Sequence, residues 1–225
     1  SKTFVVKGVS TVVARNITLD IPAGKSVALL GRNGAGKSNL LSMIAGTIQP
    51  DSGEIQITGT VSWPVGFAGS FHKDLTGAQN TRFVARVYGV DTQDLIDFTH
   101  DFSELGHHFY QPVRTYSSGM RSRLAFALSM GIRFDLYLVD EITAVGDASF
   151  REKSEAVFMD RMQTSGAIFV SHTMSSLRRV CESGIVLENG DLTYFDDINH
   201  AITKHYENMK KRSDRAAEPT DILQD

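Results

Sequence analysis

The 225-residue sequence predicts an α/β fold, a mostly parallel core sheet with an inserted helical subdomain, from three observations. Short continuous apolar runs at Val27-Ala28-Leu29-Leu30, Leu136-Tyr137-Leu138-Val139 and Ala167-Ile168-Phe169-Val170 have the pattern of strands buried on both faces. Each run ends in glycine or polar residues, namely Gly31, Asp140-Glu141 and Ser171-His172, and open α/β sheets place ligands at such strand ends. Between the first and second runs the pattern turns helical, from about Leu75 to Phe109.

The elements follow in chain order. After the first strand, Leu40, Leu41, Ile44 and Ala45 recur at helical spacing beyond Lys37, with Gly46 and Pro50 as the stop. Asp51-Ser52-Gly53 reads as a turn into an alternating strand over Glu54 to Ile57, closed by Gly59. In the helical segment Phe83, Val84, Val87 and Tyr88 form one stripe, and Leu95, Ile96, Phe98, Phe102 and Leu105 another. The last strand expected is Gly184 to Leu187, followed by a helix near Ile198 to Lys211. Residues 1–211 are expected to form one domain, with the helical subdomain at about 74–130 and a polar tail at 212–225 that frays or binds a partner.

Composition narrows the class. A 41% hydrophobic chain of this length buries a full core. The formal net charge of −3 and scattered Lys and Arg give no broad basic face, so nucleic acid is not an expected partner. The single cysteine, Cys181, closes no disulfide within the chain and suits a reducing compartment. No apolar run approaches the roughly 20 residues that span a bilayer, and the start lacks a signal-peptide layout, so a soluble cytoplasmic chain is expected.

Gly31-Arg32-Asn33-Gly34-Ala35-Gly36-Lys37-Ser38 has the spacing Gly-x4-Gly-Lys-Ser between a predicted strand and a predicted helix. Glycines let the backbone turn its N–H groups toward phosphates, and the helix N-terminus adds partial positive charge. These eight residues and Asn39 are the candidate nucleotide-binding segment, with Lys37 on the β and γ phosphates and Ser38 on Mg²⁺. Asp140 is the expected metal carboxylate. Glu141 is the expected general base or water-positioning group, a role worth about 10²- to 10⁴-fold in rate. His172, at a predicted strand end, is placed to hydrogen-bond a γ phosphate. The loop alone fits a kinase or a GTPase as well.

Tyr116-Ser117-Ser118-Gly119-Met120-Arg121 is a polar turn opening a helix that continues through Leu124, Ala127, Leu128 and Met130. Such a turn is a good N-cap or an anion site. With the phosphate loop before it and Asp140-Glu141 after it, it resembles the signature motif of ABC ATPases, whose usual Leu-Ser-Gly-Gly-Gln stands here as Tyr-Ser-Ser-Gly-Met. The resemblance covers nearly the whole chain. It implies ATP and Mg²⁺ as cofactors and a head-to-tail pair of copies, in which Ser117, Ser118 and Gly119 serve the nucleotide of the other copy. It also puts Ala144-Val145-Gly146-Asp147 at the family's D-loop, with Asp147 at the dimer interface, and makes His172 the switch histidine.

Ser62-Trp63-Pro64-Val65-Gly66, Thr115 to Arg123 and Thr143-Ala144-Val145-Gly146-Asp147-Ala148 look like the ATPase subunit of bacterial capsular polysaccharide exporters. That likeness implies export of a lipid-linked acidic polysaccharide, a polytopic membrane permease as partner, and periplasmic and outer-membrane components acting indirectly. It implies a place on the cytoplasmic face of the bacterial inner membrane, peripheral through the permease. The alternatives are an exporter of another glycan, such as O-antigen or teichoic acid, or an ABC ATPase without a membrane partner.

Two departures stand out. No Gln lies between Ser62 and Leu75, where most ABC ATPases carry one, and Gln79 does not align with it, so Gly66 to Thr76 is expected to couple to the permease by other contacts. Lys2-Thr3-Phe4 resembles the family's Lys-Ser-Tyr, and Phe4 either stacks on adenine or belongs to the core.

Overall fold

The computed structural model describes residues 1–6, 9–66, 69, 71–140 and 147–217. They form two compact units, Ser1–Gln56 with Ile168–Asp225, and Ile57–Ala167.

The first unit opens with an antiparallel pair, β1 (Lys2–Val6) and β2 (Val9–Ala14). β3 (Ser26–Leu30) pairs in parallel with β7 (Ser183–Glu188), and β7 pairs antiparallel with β8 (Asp191–Phe195). β3 and β7 are apolar throughout their centres because both faces are covered, which is why they read as continuous runs. α1 (Lys37–Ile44) follows β3, and α6 (Met174–Val180) follows β6 (Gly166–Val170), a strand that begins in the second unit and ends in the first. α7 (Ile198–Ala217) lies on β7 through Ile198, Ala201, Ile202 and His205, a spacing that marks one helix face. It lies so close that a Cβ built on Gly184 of β7 would stand 2.5 Å from Cβ of Ala201.

In the second unit β4 (Val61–Pro64) pairs in parallel with β5 (Leu136–Asp140), and β6 is the next strand beyond β5. The helical part comprises α2 (Gly77–Tyr88), α3 (Thr92–Ser103), two short 3₁₀ turns at Gly106–Tyr110 and Val113–Thr115, and α4 (Ser118–Gly131). α5 (Ala148–Met162) runs between β5 and β6. The core of the helical part gathers Ile96, Leu105, Phe109, Val113, Tyr116 and Leu124. Thr76 starts α2 with a capping box, its hydroxyl accepting from the Gln79 amide while the Gln79 side chain accepts from the Thr76 amide.

Three expectations are corrected. Residues 54–57 form no strand, and Ile55 and Ile57 are exposed, because alternation assigns faces but supplies no neighbouring ladder. The last strand is β8, not β7. In α2 Phe83 and Val87 face outward, Tyr88 packs its ring against Trp63 and Phe134, and the buried face is the small-residue set Gly77, Ala78, Asn80, Thr81 and Ala85. Close packing of α2 onto Phe109 and Tyr116 selects small side chains there.

Candidate functional site

The phosphate-loop segment sits in the first unit, where β3 delivers the chain into Gly31. A Cβ on Gly31 would stand 2.9 Å from the Leu187 carbonyl oxygen, so the strand pair closes only around a glycine there. The Ala35 amide donates to the Arg32 carbonyl at 3.1 Å, which turns the segment over Asn33 and Gly34. Gly36 caps α1 at φ 103°, in the left-handed region, and its hypothetical Cβ would stand 2.7 Å from Cγ1 of Val13 on β2. Gly36 offers no side-chain acceptor to α1's first turn, and backbone amides at a helix start of this kind favour anions. The Lys37 ammonium donates to the carbonyls of Gly31 at 2.7 Å and Arg32 at 3.0 Å, which draws it back across the loop. Ser38 and Asn39 occupy the first turn of α1.

His172 lies just past β6 and is exposed, and Ser171 before it accepts the Thr173 amide at 3.1 Å. His205 on α7 is 8% exposed and within electrostatic reach of Lys37, His172 and Glu188. Burial, and secondarily the positive charge of Lys37, push its imidazole below the usual histidine range, against the pull of Glu188. His205 was not among the expected site residues, although its spacing from Ile198, Ala201 and Ile202 puts it on the buried face of a predicted helix. Phe4, on β1, is partly exposed rather than part of the core, with the Lys2 ammonium 5.2 Å from its ring centre.

The second unit carries the remaining residues. Asp140 ends β5, half-buried, after the fully covered Tyr137, Leu138 and Val139. Glu141 lies outside the described residues, as do Thr143 to Gly146. Ser38 and Asp140 are hard oxygen donors at a helix start and a strand end. Each by its chemistry is the kind of donor that Mg²⁺ takes, one or two protein oxygens alongside phosphates and water.

Ser117 is the N-cap of α4, its hydroxyl accepting the Met120 amide at 3.2 Å, and Ser118 and Gly119 form the first turn. All three are exposed, whereas Tyr116 before them is buried and donates its hydroxyl to the His108 carbonyl at 2.6 Å. A Cβ on Gly119 would meet nothing nearer than the Ser117 hydroxyl at 3.9 Å. Among the described residues, therefore, nothing gives a reason for glycine at 119.

Asp147 caps α5 by accepting the Phe150 amide at 3.0 Å. That bond, with Arg123 close by, holds its carboxyl below the usual range. In the stretch that lacks the expected Gln, Asn80 of α2 supplies a different device. Its side-chain carbonyl accepts the His72 amide at 2.9 Å, and its amide group donates to the carbonyls of His72 at 3.2 Å and Thr76 at 2.9 Å. Asn80 is 4% exposed, so these bonds are protected from water and fix His72 to Thr76 onto α2.

The ABC transporter family model matches residues 14–144. The chain is 48% identical to the polysialic acid transport ATP-binding protein KpsT of Escherichia coli, over 86% of this chain and 88% of that protein. It is 42% identical to the capsule polysaccharide export ATP-binding protein CtrD of Neisseria meningitidis serogroup B, over 89% and 93%. O-antigen and teichoic acid export ATP-binding proteins match at 33–40%. Among solved structures, a dimeric post-hydrolysis state of the ATP-binding cassette MJ0796 bound to ADP and Pi superposes with a TM-score of 0.70 at 19% identity, over 86% of this chain and 95% of that one. The family model and these relatives show that the chain belongs to the ABC transporter family.

Proposed function

We propose that this chain is the ATP-hydrolysing subunit of an exporter of capsular polysaccharide, working as a head-to-tail pair of copies against a membrane permease on the cytoplasmic face of the inner membrane. The exported class rests on the names of its relatives, since the capsule and polysialic acid proteins match at higher identity than those for O-antigen or teichoic acid. The composite site rests on one observation above the others. Gly119 is exposed with open space at its Cβ, so its lack of a side chain serves something outside its own chain.

In this reading the loop amides from Gly31 to Ser38 and the Lys37 ammonium hold the β and γ phosphates, and Lys37 exchanges its loop carbonyls for phosphate oxygens. Phe4 stacks on adenine. Glu141 orients water for attack on the γ phosphorus, with ADP and phosphate as products, and His172 hydrogen-bonds the γ phosphate. Ser38 and Asp140 would each offer an oxygen to Mg²⁺, whose chemistry there would be to offset negative charge on the phosphate oxygens. Ser117, Ser118 and Gly119 close over the partner copy's nucleotide. The segment Gly66 to Thr76, fastened by Asn80 at its end, contacts the permease.

The test is Ser117→Arg, in which a long cation blocks the face offered to the partner. The purified variant is expected to bind ATP as the wild type does and to lose hydrolysis. It is also expected to fail where the wild type restores surface polysialic acid to Escherichia coli lacking its own transport ATPase. Normal hydrolysis by Ser117→Arg removes the composite site. Wild-type chain that leaves those cells without polysialic acid counts against the capsule reading.

A further inference from the structure

Tyr116 is the last buried residue before the bare turn of Ser117 to Gly119, and each of its polar groups is held by its own chain. The amide donates to the Val113 carbonyl at 3.0 Å, the carbonyl accepts from the Arg121 guanidinium at 2.6 Å, and the hydroxyl donates to the His108 carbonyl at 2.6 Å. The residue is 3% exposed, in the cluster with Ala78, Ile96, Phe109, Val113 and Leu124. Met120 packs against the same cluster from the first turn of α4.

The hydroxyl is the part of this arrangement that packing does not require. A phenylalanine would fill the same cluster, and a buried hydroxyl is tolerated only where it finds a partner. Its place is also left clear from the opposite side. A Cβ on Gly77, the first residue of α2, would stand 2.7 Å from the Tyr116 oxygen and 2.9 Å from the Phe109 carbonyl oxygen. Gly77 is not among the glycines with a positive φ, so its missing side chain answers to this crowding. The start of α2, the 3₁₀ turn Gly106–Tyr110 and the residue that leads into α4 therefore meet at one phenol oxygen. The Ser117 hydroxyl, in contrast, bonds forward within its own helix, to the Met120 amide, which shapes the turn without placing it.

We propose that Tyr116 is a positioning residue for hydrolysis of the nucleotide held by the other copy. Its hydroxyl, closed on the His108 carbonyl in the space that Gly77 leaves, fixes where the Ser117–Gly119 turn stands when two copies meet. The proposal rests on the composite-site reading. Tyr116 does not need to reach the reacting atoms, because it acts through the turn that follows it. A displaced turn holds the transition state less well, which lowers kcat, whereas first binding of ATP to the phosphate loop of the same chain does not use this turn.

Tyr116→Phe removes the oxygen and keeps the ring. Tyr137→Phe is its control, because Tyr137 is as deeply buried in the same unit and its hydroxyl donates at 2.8 Å to the carbonyl of Ile132, at the far end of α4. Both variants are expected to melt about 2–6 °C below wild type, the loss of one buried hydrogen bond. Tyr116→Phe alone is expected to lower kcat by about tenfold, with ATP affinity, titrated on dilute protein, within about twofold of wild type. Tyr137→Phe is expected to keep kcat within about twofold. Wild-type kcat in Tyr116→Phe, equal slowing in both variants, weaker ATP binding that accounts for the slowing, or a melting loss far beyond the control's would each overturn the role of Tyr116. All four leave the composite site to the Ser117→Arg result, and normal hydrolysis by Ser117→Arg overturns both readings.

Discussion

The phosphate loop and the signature turn are both glycine-bearing segments at the start of a helix, and they use glycine for opposite reasons. At Gly36 the chain's own structure demands it, through a left-handed φ of 103° and Val13 at 2.7 Å from a hypothetical Cβ. At Gly119 nothing among the described residues does, because the space beyond Cα is open there. The loop is shaped from within, by β2 and β7 pressed around it. The signature is a surface left bare. A segment built by its own fold can hold a ligand alone, whereas a bare helix start implies something that comes to it from outside.

Substitution can break this contrast. Gly36→Ala is expected to have the largest effect, since a side chain there adds about 1–2 kcal/mol of backbone strain plus a steric clash with Val13. Thermal melting should fall by several degrees, about 2–4 °C for each kcal/mol, and nucleotide titration should show affinity lower by at least about a hundredfold. Unchanged melting would mean that Val13 and the loop adjust at little cost. Gly119→Ala should behave in the opposite way. Alanine favours helix by about 1 kcal/mol over glycine, so melting should hold or rise, while steady-state hydrolysis falls at least tenfold. Full activity in this variant would show that the bare surface is not used.

The smallest effect belongs to His205, which sharpens the loop side of the comparison. Its folded pKa lies below the ordinary value of 6.5, so the folded state binds fewer protons than the unfolded chain just below that pH. Its contribution to stability is complete above pH 6.5 and is lost as pH falls toward the folded pKa. Melting curves from pH 7.5 to 5 should therefore decline less steeply for His205→Gln than for wild type. Equal slopes would remove His205 as a source of acid sensitivity.

Legibility in the sequence followed the range of the interactions. β3, β5, β6 and β7 announced themselves as apolar runs because burial on both faces leaves no alternation to confuse, and the phosphate loop and signature are local patterns. Residues 54–57 misled because alternation was present without a partner strand. β8 was overlooked although Asn189-Gly190, at φ 51° and 91°, is the pair that turns a tight hairpin between Glu188 and Asp191. α5 was hidden because its buried positions, Phe150, Ser154, Phe158 and Arg161, mix two aromatics with a hydroxyl and a guanidinium. Asn80 and His205 owe their interest to where distant segments bring their neighbours, and no single stretch of sequence records that.

The contact between Gly184 and Ala201 constrains how a lineage of such chains can drift. A methyl group added at position 184 alone would stand 2.5 Å from Cβ of Ala201 on α7, too close for two carbon atoms. Any enlargement at either position therefore waits on a compensating change at the other, or on a helix that lifts away as a body. Homologues are expected to keep two small residues at this crossing or to exchange both together. α7 and β7, meeting at positions seventeen apart in the chain, are inherited as one unit of variation.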